Sequence, residues 1–127
     1  MPNEETNAAE IEETTAETDF DKFIKETLRL TGKPVARIFY KGEANAYITY
    51  QHIFSRGIDP ADDEETAEEY TYGADIYSRE DYQKLVAQVK SLLKNAGFEA
   101  IETGAETYEV ATGFFHVPLT FKFYMEV

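Results

Sequence analysis

The sequence contains no cysteine, so it can build neither a disulfide framework nor a thiolate metal site, and its redox compartment is left open. No apolar run approaches the roughly 20 residues that a membrane-crossing helix needs. The first residues, MPNEETNAAEIEETTAET, have neither a basic nor an apolar stretch, which excludes a secretory signal there. On these grounds the chain is expected to stay in the compartment where it is made. Basic charge is scarce: 12 Lys and Arg stand against 25 Asp and Glu, a net charge of −13. The densest basic stretch, Lys22, Lys25, Arg29 and Lys33, is interleaved with Asp21 and Glu26. A surface of that sign repels phosphates, so direct nucleic-acid binding is not expected. The 7 glycines are isolated, and neither a P-loop nor a dinucleotide-binding fingerprint is present.

The 43% apolar and 14% aromatic content is that of a folded chain, and 127 residues suffice for one domain with one modest core. The acids are segregated. Glu4 to Asp19 and Asp59 to Glu69 together hold 14 of the 25, with no base in either block. Residues 1–17 have too few apolar side chains to offset their ordering entropy and are read as a disordered acidic arm before a domain spanning 18–127. Phe20, Phe23, Ile24 and Leu28 recur at helical spacing, which predicts a first helix over about 19–31 with Thr18 as N-cap and Gly32 as stop.

Three strands are expected next. VARIFY (35–40) and AYITYQHIF (46–54) flank a short turn, Lys41 to Asn45, that suits a hairpin. In the second of these, Ala46, Ile48, Tyr50, His52 and Phe54 fall on one face. The loop SRGIDPADDEE follows, and then an alternating segment over about 67–77. Tyr82, Leu85, Val86, Val89, Leu92, Leu93 and Ala96 form a continuous helical stripe, with Ser78 and Asp81 as a capping arrangement, Glu80 and Asp81 in the first turn, and Gly97 as stop. FEAIET (98–103) and YEVAT (108–112) read as strands around Gly104. The last segment alternates throughout: Phe115, Val117, Leu119, Phe121, Phe123, Met125 and Val127 face one way, His116, Pro118, Thr120, Lys122, Tyr124 and Glu126 the other. The expected class is α+β, a single domain in the order α-β-β-β-α-β-β, with a mainly antiparallel sheet and both helices packed on its one apolar face.

Chemistry is harder to find. His52 and His116 are the only histidines, and no Gly-x-Ser-x-Gly accompanies them. A ligand set or small hydrolase site built from His52, His116 and Asp75 would require neighbouring strands, and no ligand spacing supports it. The acids Asp59, Asp62, Asp63, Glu64, Glu65, Glu68 and Glu69 run nearly contiguously and lack the central Gly of a calcium loop. They read either as a solvated loop or as an electrostatic contact surface, with weak cation binding a lesser alternative. Several of the nine tyrosines, among them Tyr47, Tyr77 and Tyr124, fall opposite the apolar face of their strands. They suit a subunit interface, where Tyr joins large contact area to a polar tip, and equally a half-exposed strand. No catalytic residue, cofactor or metal is assigned.

The order of pieces resembles the tail-terminator (tail-completion, head–tail joining) proteins of long-tailed bacteriophages and prophages. The resemblance rests on Tyr47-Ile-Thr-Tyr50 before the acidic loop and Tyr72-Gly-Ala-Asp-Ile-Tyr-Ser78. It continues through Asp81-Tyr82 and Gly97-Phe98 at the ends of the second helix, Tyr108-Glu109, and Thr112-Gly113-Phe114-Phe115-His116 before the final strand. It covers roughly 20–127. The family implies a non-enzymatic subunit of a homo-oligomeric ring, commonly hexameric, that caps the tail tube and docks to the head connector. Its partners would be the tail tube protein and the head-completion protein, and its place the virion, or the host cytoplasm during assembly. Carried onto this chain, the 59–69 acids become a candidate lumen or tube-contact surface past which DNA slips. The arm of residues 1–17 is longer and more acidic than the family leads one to expect. A reading of another class is an acidic inhibitor or DNA mimic, which requires the acids to be arrayed along one rigid face.

Overall fold

The computed structural model describes residues 18–58 and 67–126. The expected arm of residues 1–17 and the acids Asp59 to Glu65 lie outside the described residues. The elements are α1 (Asp19–Arg29), β1 (Val35–Arg37), β2 (Ala46–Ile58), β3 (Ala67–Ser78), α2 (Tyr82–Asn95), β4 (Glu99–Thr103), β5 (Thr107–Glu109) and β6 (Phe114–Glu126). The six strands form one sheet in the order β1-β2-β3-β6-β4, with β5 also paired to β6, and every pairing except β1–β2 is antiparallel. The expected α-β-β-β-α-β-β sequence is present, and the strand region after α2 contributes β4 and β5, which pair with successive stretches of β6; β5 stops at Glu109, so 110–112 of the expected 108–112 strand is turn. None of the described helices is long and apolar enough to cross a membrane.

Both helices lie on one face, as the one-sided apolar alternation requires. Ile24 and Leu28 of α1 and Leu85, Val89 and Leu93 of α2 join Ile48, Tyr50, Ile76, Val117, Leu119 and Phe121 in one buried cluster. Each such aliphatic side chain gains about 1.5–3 kcal/mol on leaving water, which is what holds the helices to the sheet. Thr18 caps α1: its hydroxyl accepts the Asp21 N–H, and the Asp21 carboxylate accepts the Thr18 N–H, both at 3.0 Å. Gly32 and Gly97 take left-handed φ values of 81° and 102° just beyond the two helices.

Four local expectations are corrected. The 35–40 and 46–54 segments do not form a hairpin, because β1 runs parallel to β2 with Val35 opposite Ile48. The turn comes earlier than the sequence suggests. Ile38 is left-handed (φ 67°), its N–H donates to the Tyr50 carbonyl, and the Phe39 N–H donates back to Arg37. A three-residue strand spans only about 10 Å, so the short segment 38–45 can return the chain to the start of β2. There Tyr40 folds against Gly42, where a Cβ would overlap its hydroxyl.

The second correction concerns α2. Its N-cap is Asp81, which accepts the Lys84 N–H; Ser78 ends β3 and accepts the Glu80 N–H at 2.8 Å, so Glu80 and Asp81 precede the helix. Third, Ser55–Ile58 is strand and not loop. Fourth, a register break between His52 and Phe54 puts Phe54 opposite Thr71, on the face away from Ile48.

Candidate assembly surface

The face of the sheet that the helices leave uncovered is built from alternate residues of β2, β3 and β6, and it is stitched together by side chains. Tyr47 and Tyr77 are register partners whose rings stack at 4.8 Å, nearly parallel at 16°. Tyr40, brought over by the Ile38 turn, stacks on Tyr47 at 4.4 Å. On the far side His116 stacks on Tyr77 at 4.5 Å and 5°. Four rings thus lie in a continuous row across β2, β3 and β6. Phe114 meets Tyr47 edge-on at 5.5 Å and carries the Arg79 guanidinium over its own face at 4.2 Å. Asp75 fixes one end of the row, its Oδ1 2.7 Å from His116 Nε2.

Because the rings spend their faces on one another, the row offers ring edges rather than open faces. That suits a stiff contact surface better than a platform on which flat ligands stack. Burial raises the Tyr47 and Tyr77 hydroxyl pKa values above the usual tyrosine range, helped by Glu109 for the first and Asp75 for the second. Two open recesses of about 400 and 390 Å³ flank Phe114. Tyr77, Tyr108, Glu109 and His116 line the first, and Tyr40, Glu43, Tyr47 and Arg79 the second.

At the other end of the same face, β2, β3 and β6 run on past the helix layer, and residues 52–57 are all exposed. Glu69 is the centre of this arm. Its carboxylate is 5% exposed and takes Arg56 Nε at 2.9 Å, the Tyr124 hydroxyl at 2.9 Å and Lys122 Nζ at 3.6 Å. The Tyr124 hydrogen bond, with lesser help from Arg56 and Lys122, holds the Glu69 pKa below the ordinary glutamate value against the opposing effect of burial. The same bond raises the Tyr124 hydroxyl. Beside it, the Thr71 hydroxyl is buried without a hydrogen-bond partner among the described residues.

The outer edge of β2 is the other feature. β1 pairs only with Ile48 to Tyr50, so among the described residues no strand lies on the side of β2 away from β3 from His52 to Ile58. Ile53 and Phe54 on this stretch are each 45% exposed, and Ile38 and Phe39, at the point where β1 leaves, are 58% and 67% exposed. The opposite edge is less regular, since β4 carries a left-handed Ala100 (φ 51°) and a register break between Glu99 and Glu102.

The three tyrosines singled out in the sequence share this uncovered face, in two places: Tyr47 and Tyr77 in the ring row, Tyr124 in the arm. Of the acidic block, Glu68 and Glu69 are described. Glu68 accepts the Tyr70 hydroxyl at 2.9 Å, and Glu69 is neutralised inside the arm. His116 and Asp75 do meet, but His52 lies on the opposite face against Tyr72, at 5.3 Å between ring centres. The three do not converge, and among the described residues no group of three His, Cys, Asp or Glu side chains is placed to hold a metal ion. Phe114, Arg79 and Tyr40 were not anticipated. Phe114 alternates in phase with His116 and was legible, whereas Tyr40 depends on the Ile38 turn.

No family model matches the chain, and neither does any curated protein. Among solved structures, a chain in the virion of a native gene transfer agent particle is similar over 79% of this chain and 84% of its own length, at 11% identity and a TM-score of 0.47.

Proposed function

We propose that the chain is a non-enzymatic structural subunit of a phage-type particle, a tail terminator that joins with copies of itself in a ring. The ring caps the tail tube and presents a docking surface to the head connector. The observation that carries the assembly half of this reading is the outer edge of β2: from His52 to Ile58 no strand among the described residues pairs with that edge, and four exposed apolar side chains lie next to it. Free backbone donors and acceptors flanked by Ile and Phe invite another chain, and a monomer would ordinarily blunt such an edge. The terminator half rests on the order and spacing of the motifs in the sequence. The stiff ring row supports the same reading, because a platform that docks rigid neighbours gains from side chains already ordered before contact.

The edge is tested by placing lysine at Ile53 and Phe54 together. Both positions are half exposed, so unfolding stability should change by less than about 1 kcal/mol. Self-association and binding to tail tube protein should fall sharply, as read by sedimentation. Unchanged assembly in a folded double variant removes the edge from the account.

A further inference from the structure

The outer face of α2 has a charge pattern that the fold itself uses only in part. The helix carries Lys84, Lys90 and Lys94 and not one carboxylate, in a chain where acids outnumber bases 25 to 12. All three lysines are exposed, along with Gln83, Ala87 and Gln88. Among the described residues none of their ammonium groups has a carboxylate within ion-pair distance, although exposed pairs do form elsewhere, such as Lys33 with Glu80 and Arg29 with Glu26. Lys94 suits the negative end of the helix dipole. Lys84 does not, because it stands in the first turn, where a cation is disfavoured and where the acid is the Asp81 cap, which accepts the Lys84 N–H. Lys90 and Lys94 repel each other one turn apart.

The complementary charge exists in the same sequence. Asp59, Asp62, Asp63, Glu64 and Glu65 join the far ends of β2 and β3 with no base among them. The base on the neighbouring strand, Arg56, is already held by Glu69. We propose that the lysine face of α2 in one copy receives the Asp59–Glu65 segment of a second copy. The two surfaces differ, so a one-way contact is head-to-tail and closes into a ring when the rotation allows, whereas a reciprocal one would close an isologous pair. The inference rests on the assembly reading and names one of its contacts.

The absence of cysteine leaves carbodiimide coupling of lysine to carboxylate as a direct probe of the full chain. A mixture of ¹⁵N-labelled and unlabelled protein is treated at low salt, digested and mapped by mass spectrometry. Mixed-isotope cross-links between the 84–94 and 59–65 peptides are expected. They should fall several-fold at high ionic strength, because exposed charges are screened. The variant K84Q/K90Q/K94Q keeps good helix formers and should remain folded by circular dichroism. Its self-association should be about tenfold weaker, the size expected when several exposed pairs are lost together. Assembly with mixed-isotope cross-links only at other sites overturns this contact and leaves the assembly reading standing. Cross-links confined to single-isotope pairs, in assemblies whose labelled and unlabelled subunits have been mixed by unfolding and refolding together, also overturn it. A monomer at every concentration, with and without tube protein, removes the assembly reading and this contact with it.

Discussion

Tyr72 donates its hydroxyl to the buried carboxylate of Asp21 at 2.7 Å, joining the central strand to the first turn of α1 across 51 residues of sequence. Asp21 is 3% exposed and also completes the cap with Thr18, while Arg37 Nε approaches its other oxygen at 3.9 Å. Burial first, and then this hydrogen bond, raises the Tyr72 hydroxyl well above the normal tyrosine range.

Tyr72→Phe should therefore destabilise the fold by about 1–3 kcal/mol, the cost of leaving a buried charged acceptor short of a partner. Urea unfolding followed by circular dichroism measures it. A change below about 0.5 kcal/mol would mean that water replaces the hydroxyl at no cost.

Ile38 gives a prediction of the opposite sign. A β-branched residue in the left-handed region costs about 1–2 kcal/mol, and this side chain is 58% exposed, so its burial returns little. Ile38→Asn should raise the thermal midpoint, because Asn tolerates that conformation. A lower midpoint would show that the isoleucine packs against something that outweighs the strain.

Much of the fold was legible because it follows from one-sided alternation. Phe115 to Met125 and Tyr70 to Ile76 could bury their apolar side only under helices, and the stripe from Tyr82 to Ala96 supplied one. What was not legible was set by single backbone events. The direction of β1 turns on the left-handed Ile38, which no propensity favours, and the placement of Phe54 turns on one bulge residue. The ring row was half visible: Tyr47 and Tyr77 stood out, but their stacking needed the register between β2 and β3. Glu69 looked like one of seven equivalent acids in the sequence, and only its neighbours across the sheet, Arg56 and Tyr124, distinguish it.

The Glu69 network makes acid stability testable. A carboxylate whose folded pKa is depressed contributes stability that is present above its unfolded value and lost as pH falls through the folded one. Glu69→Gln should thus be less stable than the parent near neutrality, and the difference should shrink as pH drops below about 4. At the alkaline end the raised Tyr124, Tyr77 and Tyr47 hydroxyls act the other way. Their contribution is complete below about pH 10 and lost as pH rises through the folded values. Denaturation midpoints across pH read both limbs, and a parent–variant gap that stays constant down to pH 3 would contradict the Glu69 assignment.

The central claim is that this chain works by assembling with copies of itself, and the subunit count of the purified protein tests it most directly. Native mass spectrometry, run across a concentration series with and without tail tube protein, should give one closed species of fixed multiplicity, a whole-number multiple of the 14.5 kDa chain. A mass of 14.5 kDa at every concentration, with no complex formed on adding tube protein, would contradict it.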